Sequence, residues 1–173
     1  MFLIMKFSED VIISPADLSK DLEKIVKVKL LEKVTGTCHP KYGYFIKVFA
    51  IGKLKNGLIM EGSGDIIFKV DYSAVLMRPF KGEICDGIIE NILPEGGFFV
   101  KVGPMKVYIP KDNIQPNFTL DDKNLCYSDE KKSIELRKDT RIRFRYTGIQ
   151  FEENDFKPIG TIRDNYLGYI QDS

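Results

Sequence analysis

Few polar side chains in this sequence could carry chemistry, and their spacing argues against catalysis. His39 is the single histidine; a Ser/His/Asp triad would have to be built around it, and its neighbours Cys38 and Pro40 read as a loop. No Gly-x-x-x-x-Gly-Lys-Ser/Thr stretch offers a phosphate cradle, and no spaced set of His, Cys or carboxylates offers a metal site. Asp121-Asp122 could bind a cation, but an acidic loop is ordinarily just hydrated. Cys38, Cys85 and Cys126 are far apart, odd in number and without a CxxC pair, which argues against a disulfide framework or zinc and for a reducing compartment. No catalytic residue, cofactor or small-molecule substrate is therefore expected. What recurs instead is cationic and apolar surface. Arg141-Ile142-Arg143-Phe144-Arg145-Tyr146 alternates strictly, so an extended strand puts three guanidinium groups on one face. Three like charges repel unless anions sit opposite, leaving two readings: a solvated face offset by Glu152 and Glu153, or a phosphate-binding face. Leu58-Ile59-Met60, set among Gly57, Gly62 and Gly64, is apolar where a loop is ordinarily polar. It is either a hairpin tucked onto its own sheet or an exposed docking tip for another protein.

The elements that must position these groups change character at Arg78-Pro79-Phe80-Lys81-Gly82-Glu83. Upstream, a strand over residues 2–13 is followed by Ser14-Pro15-Ala16-Asp17, which has the chemistry of a helix start: a capping hydroxyl, a proline for the first turn and an acid for the dipole. Leu18, Leu22, Ile25, Val26, Leu30 and Val34 then recur at helical spacing, with Lys20, Glu23, Lys24, Lys27 and Glu32 largely between them. Gly36 supplies a stop. Tyr44–Ile51 reads as a central strand, Asn56-Gly57 as a tight hairpin turn, and residues 65–77 as a further strand.

Downstream, only short strands are expected. Gly82-x-Ile-x-x-Gly87-x-Ile-x-x-Ile92 suits the bent first strand of a small barrel. Phe98–Val102 and Lys106–Pro110 follow, separated by Gly103-Pro104-Met105. The stretch from Gln115 to Lys132 shows little periodicity and is expected to lack regular structure. Arg141–Tyr146 makes the fourth strand and Ile159–Ile162 the fifth, after a turn at Glu152–Asp155. Five strands in this order, with an excursion between the third and fourth, describe an OB barrel. The division predicts two domains, 1–80 and 81–173.

Composition fits this picture. With 43% apolar and 12% aromatic residues the chain is of the ordinary globular kind. Residues 1–80 carry 12 Lys and Arg against 9 Asp and Glu, and residues 81–173 carry 14 against 16. The halves are thus close to neutral, and nucleic acid would have to be met by a local cluster rather than a global field. The apolar Met1–Met5 run is broken by Lys6, Glu9 and Asp10 well short of a signal peptide or membrane span, so a soluble, intracellular protein without a membrane partner is expected.

Several motifs resemble known families. The first-strand pattern, Gly-Gly-Phe-Phe-Val at residues 96–100 and Val107-Tyr108-Ile109 are similar to the OB-type RNA-binding domain first described in a ribosomal small-subunit protein. Lys41-Tyr42-Gly43, Arg78–Glu83, Gly103-Pro104-Met105 and Asp164-Asn165-Tyr166-Leu167-Gly168 stand in the same order as in the seventh subunit of eukaryotic RNA polymerase II and its homologue in the archaeal RNA polymerase. That resemblance covers essentially the whole chain.

It implies an α+β protein: an N-terminal tip domain, truncated RNP-like with a helix on an antiparallel sheet, then an all-β five-stranded OB barrel. It also implies a non-catalytic polymerase stalk subunit in the nucleus, paired with the fourth subunit, docked on the core subunits and exposed to nascent single-stranded RNA. On this reading Gly57, Leu58, Ile59, Met60, Gly62 and Gly64 form the core-docking tip. Tyr72, Arg78, Pro79, Phe80, Lys81, Gly82 and Glu83 form the partner-subunit and domain junction, where Pro and Phe make a stiffer join than a Gly/Ser tether would. Phe99 and Tyr108 become base-stacking candidates and Lys101, Arg141, Arg143 and Arg145 phosphate candidates. Gly96 stands where the family's Phe-Gly-x-Phe pattern has its first aromatic, so one stacking platform is missing. Which of Phe98 and Phe99 faces outward is open at this point. The alternatives are the stalk subunit of RNA polymerase III and a free OB-fold RNA-binding or translation factor.

Overall fold

The computed structural model describes residues 1–18, 21–121, 125–129 and 134–170. The chain divides into two compact units, Met1–Arg78 and Pro79–Ser173.

In the first unit, β1 (Phe2–Ile13), β2 (Cys38–His39), β3 (Gly43–Ile51), β4 (Leu58–Ile59) and β5 (Ile66–Met77) form an antiparallel sheet in the order β1-β5-β3-β2, with β4 also on β5. Strict alternation along β1 separates two faces. Val11 and Ile13 are buried while Lys6, Ser8, Asp10 and Ile12 are exposed. Helix α1 (Leu22–Val34) buries Val26, Leu30 and Val34 in one core with Val11, Ile13, Phe45, Val48, Phe68, Val70, Tyr72, Ala74 and Leu76. Each large aliphatic or Phe side chain among them contributes about 1.5–3 kcal/mol of apolar burial. The expected helix start differs from the observed one. Pro15–Asp17 is an isolated 3-10 turn, Ser14 makes no side-chain cap, and Asp17 instead pairs with Lys29 at 2.6 Å. Leu18 is accordingly exposed. Asn56-Gly57 does not turn the chain; the turn falls at Glu61–Ser63. Gly57 is needed for a different reason, because a Cβ there would run into Ile66 Cγ2 and the Phe68 ring.

In the second unit, β6 (Ile84–Ile92), β7 (Phe98–Val102), β8 (Met105–Ile109), β12 (Arg141–Glu152) and β13 (Asp155–Thr161) close a five-stranded barrel. β6 pairs with β7 and β12, β8 with β7, and β13 with β12, all antiparallel. The ring is completed by a parallel contact at Ile159–Tyr108, and β14 (Gly168–Tyr169) flanks β12. Ile89, Phe98, Val100, Val107, Ile109, Ile142 and Phe144 are fully buried. Gly87 on β6 leaves no room for a side chain: a Cβ would stand 2.5 Å from Val100 Cγ1 and 2.8 Å from Val102 Cγ2.

The excursion after β8 is not irregular. β9 (Phe118–Asp121), β10 (Cys126–Asp129) and β11 (Glu135–Leu136) form a small antiparallel sheet in the order β11-β10-β9. Two- and four-residue strands leave no readable alternation, and their anchor is tertiary. Buried Tyr127 meets the Phe98 ring edge-on at 5.9 Å, and its hydroxyl accepts the Gly97 N–H at 2.6 Å. Asp122, Lys131 and Lys132 lie outside the described residues.

Candidate nucleic-acid and docking surfaces

On the barrel, β7 sets the two adjacent phenylalanines on opposite faces. Phe98 is 0% exposed and fills the core, whereas Phe99 points outward and sits opposite Tyr108 on β8. Their ring centroids are 5.2 Å apart and tilted by 42°. Beside the rings runs a groove of about 560 Å³ whose lining includes Leu93, Pro104, Phe156 and Pro158. Two flat π surfaces next to an apolar groove can stack on a base without reading its sequence.

The three arginines of β12 do share the outer face, while Ile142, Phe144 and Tyr146 are buried. Glu152 and Glu153 both hold Lys157 at 3.2 Å and are not the carboxylates paired with Arg143 and Arg145. Arg143 faces Asp86 across the β6–β12 ladder and binds it bidentately, at 2.7 and 2.9 Å. The guanidinium hydrogen bonds hold the Asp86 carboxyl below its ordinary range and push Arg143 up. Arg145 pairs with Asp164 at 2.8 Å. Proximity in sequence to two glutamates pointed to the wrong carboxylates, because β6 and the segment after β13 approach these arginines more closely than the strand's own hairpin turn does.

Pairing register adds a residue that sequence reasoning missed. Lys101 on β7 is opposite Lys106 on β8 and, on its other side, opposite Ile88 of β6, which in turn faces Arg141. Lys106 also reaches Glu90, the residue skipped by a register shift in β6, at 2.9 Å. Nothing in the spacing of Lys106 marks it; only the ladder places it beside Lys101.

In the first unit, residues 57–64 form a hairpin on their own sheet that leaves apolar side chains exposed. Leu58 and Ile59 pair with Ile67 and Ile66 as a short hairpin strand, yet each is 73% exposed. Gly62 and Gly64 take positive φ of 93° and 74° beyond Met60, whose N–H donates to the Asp65 carbonyl at 2.7 Å. The result is a short, backbone-tied tip with two aliphatic side chains in solvent.

The junction residues are less uniform. Tyr72 is 5% exposed and packs on Phe7 at 5.7 Å, so its ring serves the core of the first unit. The Met1 ammonium donates to the Arg78 carbonyl at 2.9 Å, which ties the ends of β1 and β5. In the second unit, the Gly82 N–H donates to Tyr146 O and the Tyr146 N–H to Glu83 O, extending the β6–β12 ladder; Phe80 and Glu83 close a turn around Lys81, and Pro79 begins the unit. His39 stacks on Tyr42 at 4.7 Å and accepts the Lys41 N–H at Nδ1, a packing arrangement. Among the described residues no group of His, Cys, Asp and Glu is arranged to hold a metal ion, and no helix is long and apolar enough to cross a membrane.

Comparison with known proteins matches both units. Residues 8–64 fit the family profile described as "SHS2 domain found in N terminus of Rpb7p/Rpc25p/MJ0397", and residues 78–155 fit the S1 RNA binding domain. A DNA-directed RNA polymerase II subunit rpb7 of Dictyostelium discoideum is 30% identical over 98% of this chain and 99% of its own length. The corresponding RPB7 of Saccharomyces cerevisiae is 32% identical over 98% and 100%. A DNA-directed RNA polymerase V subunit 7 of Arabidopsis thaliana is 27% identical over 99% of each chain.

Proposed function

This chain belongs to the RPB7 family of RNA polymerase subunits, and we propose that it is the non-catalytic stalk subunit of a nuclear DNA-directed RNA polymerase II. In this role it pairs with the fourth subunit through surfaces around residues 78–83, docks on the core through the Leu58–Ile59 tip, and offers the barrel face to emerging single-stranded RNA. The observation that carries the reading is the extent of likeness: 30–32% identity to polymerase II seventh subunits over 98% of the chain. Two aliphatic side chains standing in solvent on a short strand support a protein-docking role for the tip, since exposed apolar groups gain stability only when covered. The outward Phe99–Tyr108 pair supports the RNA role.

A second reading is the equivalent subunit of another nuclear polymerase, which the full-length likeness to a polymerase V subunit favours. Affinity purification of the tagged chain followed by mass spectrometry separates the two. Recovery of the large polymerase II subunits with a small partner supports the proposal; recovery of the large subunits of another polymerase redirects it. Ribosomes alone would overturn both in favour of a free RNA-binding factor.

A further inference from the structure

The barrel closes through β6, β7, β8, β12 and β13, and the small sheet of β9, β10 and β11 takes no part in that ring. Its Tyr127 nevertheless reaches the barrel. The side chain is buried, its ring stands edge-on to Phe98 at 5.9 Å, and its hydroxyl accepts the Gly97 N–H at 2.6 Å. A phenylalanine would fill nearly the same volume without a polar atom to satisfy. In a buried position the hydroxyl is therefore favourable only through the hydrogen bonds it makes.

Gly97 is where that bond acts. It follows Gly96, the two have positive φ of 93° and 97°, and its carbonyl accepts the Leu93 N–H at 3.0 Å to close the turn between β6 and β7. Two successive glycines give the backbone wide freedom, which hydrogen bonds on both the N–H and the carbonyl of Gly97 take away. A Cβ on Gly97 would stand 2.8 Å from the Ile109 carbonyl oxygen, 3.0 Å from the Tyr108 hydroxyl oxygen and 3.2 Å from Tyr108 Cε2. The outer end of the Tyr108 ring thus lies against the Gly97 backbone. Gly97 also leads through Phe98 into Phe99, which sits opposite Tyr108 with ring centroids 5.2 Å apart. One peptide unit borders one ring of the pair and precedes the other by two residues.

We propose that Tyr127 is a positioning residue for the Phe99–Tyr108 pair: through its hydroxyl the inserted sheet fixes Gly97 and so sets the spacing and tilt of the two rings. This rests on the RNA-binding reading above and adds to it a control that lies outside the face itself. Tyr127 touches no ligand in this role. Without its hydroxyl the Gly97 peptide is free to turn and the Tyr108 ring loses a fixed wall, so stacking weakens while phosphate contacts keep their number.

The test is Tyr127→Phe in the full chain, which keeps the ring against Phe98 and deletes only the hydroxyl. Fluorescence anisotropy with an unstructured oligouridylate should show binding about three- to tenfold weaker, the range of one net hydrogen bond. Between about 50 and 200 mM salt the slope of binding against salt should stay the same, because it counts phosphate contacts. In a chain carrying Phe99→Ala and Tyr108→Ala, the same substitution should change affinity by less than about twofold, since the rings through which it acts are gone. Aromatic NMR reads the positioning without RNA: the Phe99 and Tyr108 ring resonances should shift, with those of Tyr42 and Tyr72 in the first unit as the unmoved reference. A hydroxyl that only stabilises the fold would lower the melting temperature yet leave the ring resonances in place and the affinity, measured well below melting, unchanged. That result overturns the proposal. An equal loss of affinity with and without the rings also overturns it and leaves the RNA reading standing. No binding by the unsubstituted chain overturns the RNA reading and the proposal with it.

Discussion

Arg143 and Asp86 face each other across the β6–β12 ladder and are joined by two hydrogen bonds, Nε to Oδ1 at 2.7 Å and Nη2 to Oδ2 at 2.9 Å. The pair fastens the first strand of the barrel to the fourth on its solvent side. It also withdraws the central arginine of the most conspicuous basic pattern in the sequence from competition for a ligand.

Because the bridge is solvent-exposed, it contributes little to stability, and that little depends on pH. The Asp86 carboxyl is held below its ordinary range, chiefly by the hydrogen bonds from Arg143. A depressed folded-state value means the contribution is complete above the unfolded carboxylate value near 3.9 and disappears as pH falls through the folded value. Asp86→Asn should therefore melt slightly below the unsubstituted chain at neutral pH and level with it in strong acid. A gap of equal size at both pH values would show that the side chain acts through packing instead.

Phe99→Ala with Tyr108→Ala should weaken binding of single-stranded RNA by roughly 1–3 kcal/mol per lost stack. Both rings are outward-facing, so the barrel core of Phe98, Val100 and Val107 is untouched and the melting temperature should move little. Unchanged affinity in a filter or anisotropy assay removes the stacking role. Phe98→Ala makes the contrast: deleting that buried ring should cost about 3–5 kcal/mol of stability.

Leu58→Ser with Ile59→Ser should abolish recovery of the polymerase core in a pull-down while leaving the small-subunit heterodimer intact. Exposed side chains on a two-residue strand can be made polar without opening the core. Joint loss of core and partner, with a lowered melting temperature, would mean that the hairpin is structural.

Much of this architecture is legible because it is written in periodicity. Val26, Leu30 and Val34 recur at helical spacing, and Ile142, Phe144 and Tyr146 alternate on a strand, so their buried faces follow directly from the order of residues. Where no period exists, the reading fails. The small sheet of β9, β10 and β11 is anchored by long-range contacts of Tyr127 with Gly97 and Phe98, and Ser14-Pro15 carries the chemistry of a helix cap without forming one. For the same reason the candidate site was legible along a strand but not across strands. Phe99, Tyr108 and the arginines stand out in sequence, whereas the neighbour relation of Lys101 to Lys106 and of Arg143 to Asp86 exists only in the register.

Gly87 tests that register without touching either surface. The sequence pattern suggests a glycine for bending β6, but the structure gives it a steric role: an added methyl would press on Val100 Cγ1, Val102 Cγ2 and the Lys101 carbonyl oxygen, the last at 3.0 Å. Two of these neighbours are side chains that can yield a little, and the third is backbone that cannot. Gly87→Ala should thus destabilise the barrel by roughly 1–3 kcal/mol through overpacking. Gly148, in β12, has open space where its Cβ would stand, and Gly148→Ala should be neutral or mildly stabilising. If overpacking is the cause, Val100→Ala should cost less beside Gly87→Ala than alone, a coupling that a double-mutant cycle of thermal or denaturant unfolding measures directly. Additive losses would instead point to bending of the strand as the reason for the glycine.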